Sequence, residues 1–232
     1  MKEIIEYTNS EDYKLHGNLE VYNLNYNILN SSIEIHIETE LNEVYKKWKI
    51  VAKNPIKIGC FETYNFLNYR EITLMDKHPL LNSVCDNSVS CELERKPLNK
   101  FSFIGELCYE MEEITGNWLT VNEIITSFKN LFEKKDLQST FADFTMNKDC
   151  EILIFPKFLF ETIKNVCEKY SITIKNVEET NNVFNYQNQI MIFGNEIITK
   201  KNDLFMNQPH IIAEEFGLEL ITNEVLSVKR VY

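Results

Sequence analysis

The sequence predicts an α+β fold: a mainly antiparallel sheet in the N-terminal third, amphipathic helices in the middle, and mixed strands and helices toward the C-terminus. Three observations carry this expectation. Short alternations of apolar and polar residues crowd positions 13–75, with connections too short for crossover helices. Two segments between residues 100 and 135 repeat apolar residues at helical spacing. Beyond residue 150 the two periodicities take turns.

The strands expected first are YKLHGNLEV (13–21), IEIHIETEL (33–41), KKWKIVA (46–52), IKIGCF (56–61) and REITLM (70–75). The texture changes near Pro97. In KFSFIGELCYEMEEIT (100–115), Ile104, Leu107, Cys108, Met111 and Ile114 make one helical face, and Gly116 supplies a stop. Thr120 and Glu123 form a capping box ahead of a second helix, 121–135, striped by Val121, Ile124, Ile125, Phe128, Leu131 and Phe132. CEILIF (150–155) reads as a buried strand, and Pro156 opens the helix PKFLFETIKNVCEKY. SITIKNV (171–177) is a strand, QIMIFGNEIITK a hairpin turning at Gly194-Asn195, and PHIIAEEFG (209–217) a short helix stopped by Gly217. The remainder, LELITNEVLSVKRVY, is extended. No linker or internal repeat interrupts the chain, which reads as one compact domain or two closely packed lobes, 1–95 and 96–232, with the best boundary between Cys91 and Pro97.

With 232 residues, 44% of them hydrophobic and 25% charged, the chain can bury a substantial core. No apolar run approaches the roughly 18 residues of a membrane span, and MKEIIEYTNSEDYK lacks the basic-then-apolar order of a signal peptide. The expected compartment is the cytoplasm, where the six cysteines stay as thiols. A net charge of -11 argues against nucleic acid, which needs clustered Lys and Arg, and favours cationic partners. No GxGxxG or GxxxxGK[ST] occurs, so no nucleotide cofactor is expected.

Two constellations bear on catalysis. His78, in DKHPLL, lies near Cys85 and invites a Cys-His nucleophile, but SVCDNS lacks the basic neighbour or helix start that activates a thiol. His78 reads better as a turn residue capping the sheet. His36, between Glu34 and Glu38 on one strand face, is a metal candidate. Same-face neighbours stand nearly 7 Å apart, however, and Lys47 and Lys49 on the next strand can pair with the glutamates. A solvated, lysine-paired face is the favoured account, and neither a catalytic residue nor a metal is assigned.

The acidic pattern is the stronger signal. Glu34, His36, Glu38 and Glu40 share one face of 33–41, and Glu106, Glu110 and Glu113 form a helical stripe in a stretch, 101–127, with no Lys or Arg. Like charges at i,i+4 and glutamates near a helix C-terminus both cost stability. Such a stripe suits docking to a cationic partner, with Tyr109 and Trp118 as aromatic anchors; Trp118 equally suits the core between helices.

WKIVA (48–52), DKHPLL (76–81), EITGNW (113–118), FPKFLFETIKNVCEKYSI (155–172) and HIIAEEFGLEL (210–220) occur in an order that resembles bacterial immunity proteins accompanying polymorphic or contact-dependent toxins. The resemblance rests on packing residues and transfers no catalytic group. It implies a cytoplasmic, non-enzymatic protein that neutralises a toxin domain by covering a cationic active site. The alternatives are a small hydrolase or nuclease-like enzyme using Cys85 and His78 or a metal at His36, and a structural or regulatory module of a larger assembly. The oligomeric state is not legible.

Overall fold

The computed structural model describes residues 1–61, 71–95, 97–125, 151–182, 187–194 and 208–225. The chain forms two units: Met1–Leu81 with Tyr186–Ile198 and Phe205–Tyr232, and Asn82–Asn185 with Thr199–Leu204. The units are therefore not the sequential lobes 1–95 and 96–232. The chain leaves the first unit just past Leu81 and later returns, so that C-terminal strands complete the N-terminal sheet. The change near Pro97 marks a change of element, not of unit.

The first unit opens with two helices, α1 (Lys2–Thr8) and α2 (Glu11–His16). Here the strand expected from residue 13 is corrected. Ser10 caps α2, its Oγ accepting from the Tyr13 N–H at 3.3 Å, and Glu11 and Asp12 complement the helix dipole. Gly17 then allows the turn into β1 (Asn18–Asn27), because a Cβ there would stand 2.6 Å from the Tyr13 ring.

Strands β2 (Ser32–Leu41) and β3 (Val44–Gly59) are joined by Asn42 and Glu43, both left-handed at φ 52° and 64°, the backbone that a two-residue hairpin needs. Segments 46–52 and 56–61 are not separate strands. Both lie in β3, the second as far as Gly59, and the strand passes Asn54 at φ 47° and a register shift between Pro55 and Lys57. With β4 (Glu71–Met75), β8 (Gln189–Gly194) and β9 (His210–Val225), they form a six-stranded antiparallel sheet in the order β1-β2-β3-β9-β8-β4. The hairpin expected at Gly194-Asn195 runs outside the described residues.

The segment 209–217 is strand, not helix. Ile211 and Ala213 face one core cluster while Ile212, on the opposite face, is also fully buried. A strand buried on both faces has no clean alternation, and its apolar run mimics helical spacing. Pairing with β3 from Val44–Val225 to Gly59–His210 overrides that local ambiguity.

The core of this unit lies between the sheet and the two short helices. Ile4, Tyr13, Leu19, Ile35, Ile37, Trp48 and Ile50 meet there. The buried Trp48 indole donates to Thr39 Oγ1 at 2.9 Å, which satisfies the one polar atom of the largest buried side chain.

After α3 (Pro79–Cys85), the second unit holds a three-stranded antiparallel sheet, β6-β5-β7, made of β5 (Ser88–Leu93), β6 (Glu151–Pro156) and β7 (Ile174–Thr180). Its helices are α4 (Lys100–Thr115), α5 (Val121–Ile124) and α6 (Phe160–Lys169). Asn99 caps α4 by accepting from the Ser102 N–H at 3.1 Å. Phe103, Leu107 and Met111 are its buried stripe, and Ile163, Val166 and Cys167 are that of α6. Most of the expected helix 121–135 lies outside the described residues. The architecture is α+β with antiparallel sheets, as the periodicities predict.

Candidate functional site

The alternation of β2 puts Ile33, Ile35, Ile37 and Thr39 into the core and turns Glu34, His36, Glu38 and Glu40 outward. Register then decides what these side chains face. On the β1 side, Glu20 stands directly opposite Glu38 and Asn25 opposite Glu34; a bulge between Val21 and Asn23 brings the Tyr22 ring to 5.9 Å from the His36 ring. On the β3 side, Lys47 faces Glu38, Lys49 faces His36, and Tyr45 faces Glu40.

The lysine-paired account holds for part of this face. Lys47 Nζ lies 3.6 Å from Glu38 Oε2, whereas Lys49 turns to Glu219 on β9 at 2.6 Å and Lys53 to Glu215 at 2.9 Å. The hydrogen bond and charge of Glu219 raise the Lys49 pKa. These pairs leave the edge of the face uncompensated. Among the described residues, Glu20 has no cation within ion-pair distance, although the Glu38 carboxylate is its direct cross-strand neighbour. His36 Nε2 approaches Glu34 Oε2 to 3.9 Å, but among the described residues no three His, Cys, Asp or Glu side chains converge as a metal site.

The helical stripe is arranged differently. Glu106 forms an ion pair with Lys169 on α6, whose pKa is raised chiefly by that hydrogen bond, with the Glu110 charge adding to it. Glu106 is thus a strut between two helices of its own unit, which accounts for a carboxylate the helix alone would disfavour. Glu113 lies on the exposed side of α4, and Tyr109 is 55% exposed. Trp118 is only 7% exposed, so it is a core residue and not a surface anchor.

His78 and Cys85 stand at the two ends of α3. His78 is buried, and its Nδ1 accepts the Leu80 N–H at 3.1 Å, capping the helix start and not the sheet. Burial first, and then the nearby His210, push its pKa down to about 4. Cys85 ends the same helix, at the negative pole of the dipole, opposite to the polarity that activates a thiolate. None of the five cysteines within the described residues is in a disulfide. Burial raises the Cys91 thiol to about 11 and is the main cause raising Cys167 to about 12.

Comparison with known proteins finds no matching family model, curated protein or solved structure. Glu20, Tyr22 and Glu219 join the face only through pairing register. Glu20 alone had a local signal, lying between Leu19 and Val21 in an alternating run. Placing it against Glu38 required knowing that Asn27 pairs with Ser32 across the hairpin.

Proposed function

We propose that the protein is a non-enzymatic binder of a cationic protein, of the kind that neutralises a bacterial toxin domain, and that it docks through the outward face of β1, β2 and β3. The observation carrying this reading is the opposed pair Glu20 and Glu38 at the edge of a face that also bears Glu34 and Glu40. Directly opposed like charges destabilise a sheet. A partner's lysine or arginine placed between them removes that cost on binding and gives the surface its preference for basic proteins. Glu110, Glu113 and Tyr109 form a second, weaker candidate patch, because Glu106 is already engaged with Lys169.

The test measures association with the product of the adjacent gene, across salt concentrations, for the parent chain and for Glu20→Lys/Glu38→Lys. An expected steered on-rate should fall by about tenfold or more in the double variant at low ionic strength and lose most of its salt dependence. Absence of binding by the parent, or identical on-rates for both proteins, would overturn this reading.

A further inference from the structure

Among the described residues, the connection between β1 and β2 is the most apolar exposed prominence of the first sheet. Leu29 is 96% exposed and Ile28 77%, with Tyr26 exposed on the strand below them. Isolated exposed hydrophobics are ordinary, but these are neighbours at one hairpin tip.

The tip is also firmly built. Asn27 Oδ1 accepts the N–H groups of Leu29 at 3.1 Å and Asn30 at 3.2 Å, fixing the turn from its own side chain. Ser31, left-handed at φ 44°, accepts the Asn54 N–H through its carbonyl at 2.7 Å, which ties the tip to β3. Asn54 in turn donates to Glu214 Oε2 at 2.6 Å. Four polar groups thus hold Ile28 and Leu29 in water, at the cost of hydrating two large aliphatic side chains.

What covers them follows from charge. Glu34 lies only two positions along β2 from Ser32 at the hairpin base, and Glu38 four further, so the acidic face runs about 20 Å from the base of the tip at ~3.3 Å per residue. That length fits within one side of a standard protein interface. A second copy would set acidic face against acidic face, and an anionic bilayer would repel the same carboxylates. A basic protein with an apolar cleft meets both requirements.

We infer that the β1–β2 tip, Ile28-Leu29, is the apolar anchor of the docking surface and inserts into an apolar cleft bordered by basic residues on a protein partner. This deepens the function proposed above and rests on it. The tip supplies lifetime to the complex, while Glu20, Glu34 and Glu38 supply steering and register.

The experiment places a benzoylphenylalanine photo-crosslinker at position 29 or position 38 of the full chain, in the cells that make it, and then measures kinetics on the purified crosslinked protein. The expected result is one basic protein captured from both positions. Ile28→Ser/Leu29→Ser should then speed dissociation by about 30-fold or more, leaving the salt dependence of the on-rate unchanged. Capture at position 38 alone, with the tip variant dissociating like the parent, would refute the anchor and leave the docking face standing. Crosslinks from position 29 to lipid or to a second copy would refute it as well. Failure to capture any protein at position 38, with Glu20→Lys/Glu38→Lys binding normally, would instead remove the docking face, and the anchor with it.

Discussion

At pH 7 His78 is neutral and its ring is fixed, because Nδ1 accepts the Leu80 N–H and the ring proton therefore sits on Nε2. An unfolded histidine titrates near 6.5, whereas burial and the neighbouring His210 lower the folded value to about 4. The unfolded chain thus binds the proton more readily. The stabilisation is complete above pH 6.5 and is lost as pH falls from there through about 4, with a ceiling of ~3 kcal/mol. His210 shifts in the same direction, by burial first, opposed by its bond to the Gln208 carbonyl, and with Lys57 lowering it further. Urea midpoints should therefore drop between pH 6.5 and 4. His78→Asn, which retains a capping acceptor, should drop less steeply, and equal slopes for the two proteins would assign the acid lability elsewhere. Gly59 belongs to the same neighbourhood. A Cβ there would lie 2.5 Å from His210 Cε1, and the imidazole is held by its bond to the Gln208 carbonyl at 2.9 Å. Gly59→Ala should cost about 1–3 kcal/mol by overpacking, measured by chemical denaturation.

Among the elements, the β2–β3 hairpin shows how a polar bond fixes a core layer. Trp48 and Thr39 are both fully buried, and the indole N–H has the threonine Oγ1 as its acceptor at 2.9 Å. Thr39→Val conserves volume but strands that donor, so the unfolding free energy should fall by about 1–3 kcal/mol. A variant as stable as the parent would mean that the indole finds another acceptor. The α4–α6 strut should behave oppositely. Lys169 is mostly exposed, and Lys169→Ala should change stability by less than about 1 kcal/mol despite the ion pair to Glu106. These elements also show where sequence reading stops. The hairpin was legible because β2 is buried on one face and alternates cleanly, and α4 because it repeats every three or four residues and ends at Gly116. Strand β9 was not, since Ile211, Ile212 and Ala213 are buried on both faces of the sheet. Helix α2 has only six residues, too few to show a period, and its one local sign was Ser10 ahead of Glu11 and Asp12. Of the acidic surface, the β2 face was visible in the alternation alone. The Glu20–Glu38 opposition and the Glu106–Lys169 pair depend on register and helix packing, which no local window contains.

For the molecule as a whole, a net charge of -11 means that carboxylates repel one another in the folded state, and the balance is paired unevenly. On the first sheet Lys47, Lys49 and Lys53 each hold one acid, and among the described residues none of these lysines reaches Glu20 on the β1 edge. If that edge is kept acidic for a partner, stability and binding should pull against each other at one residue. Glu20→Lys places an ammonium opposite Glu38, turning a repulsive cross-strand pair into an attractive one while lowering the overall acidity. The gain should be small, about 0.2–1 kcal/mol, because Glu38 already has Lys47 at 3.6 Å and the site is solvated. It should also shrink as salt rises, since an exposed pair is screened over a Debye length of ~8 Å at physiological ionic strength. Urea unfolding of parent and variant at low and high salt measures it directly. A variant that is more stable yet associates more slowly with the partner would identify Glu20 as a residue retained for docking at a cost to the fold. A variant less stable than the parent at low salt would show that the opposed carboxylates are not in conflict and would remove the main support for the docking face.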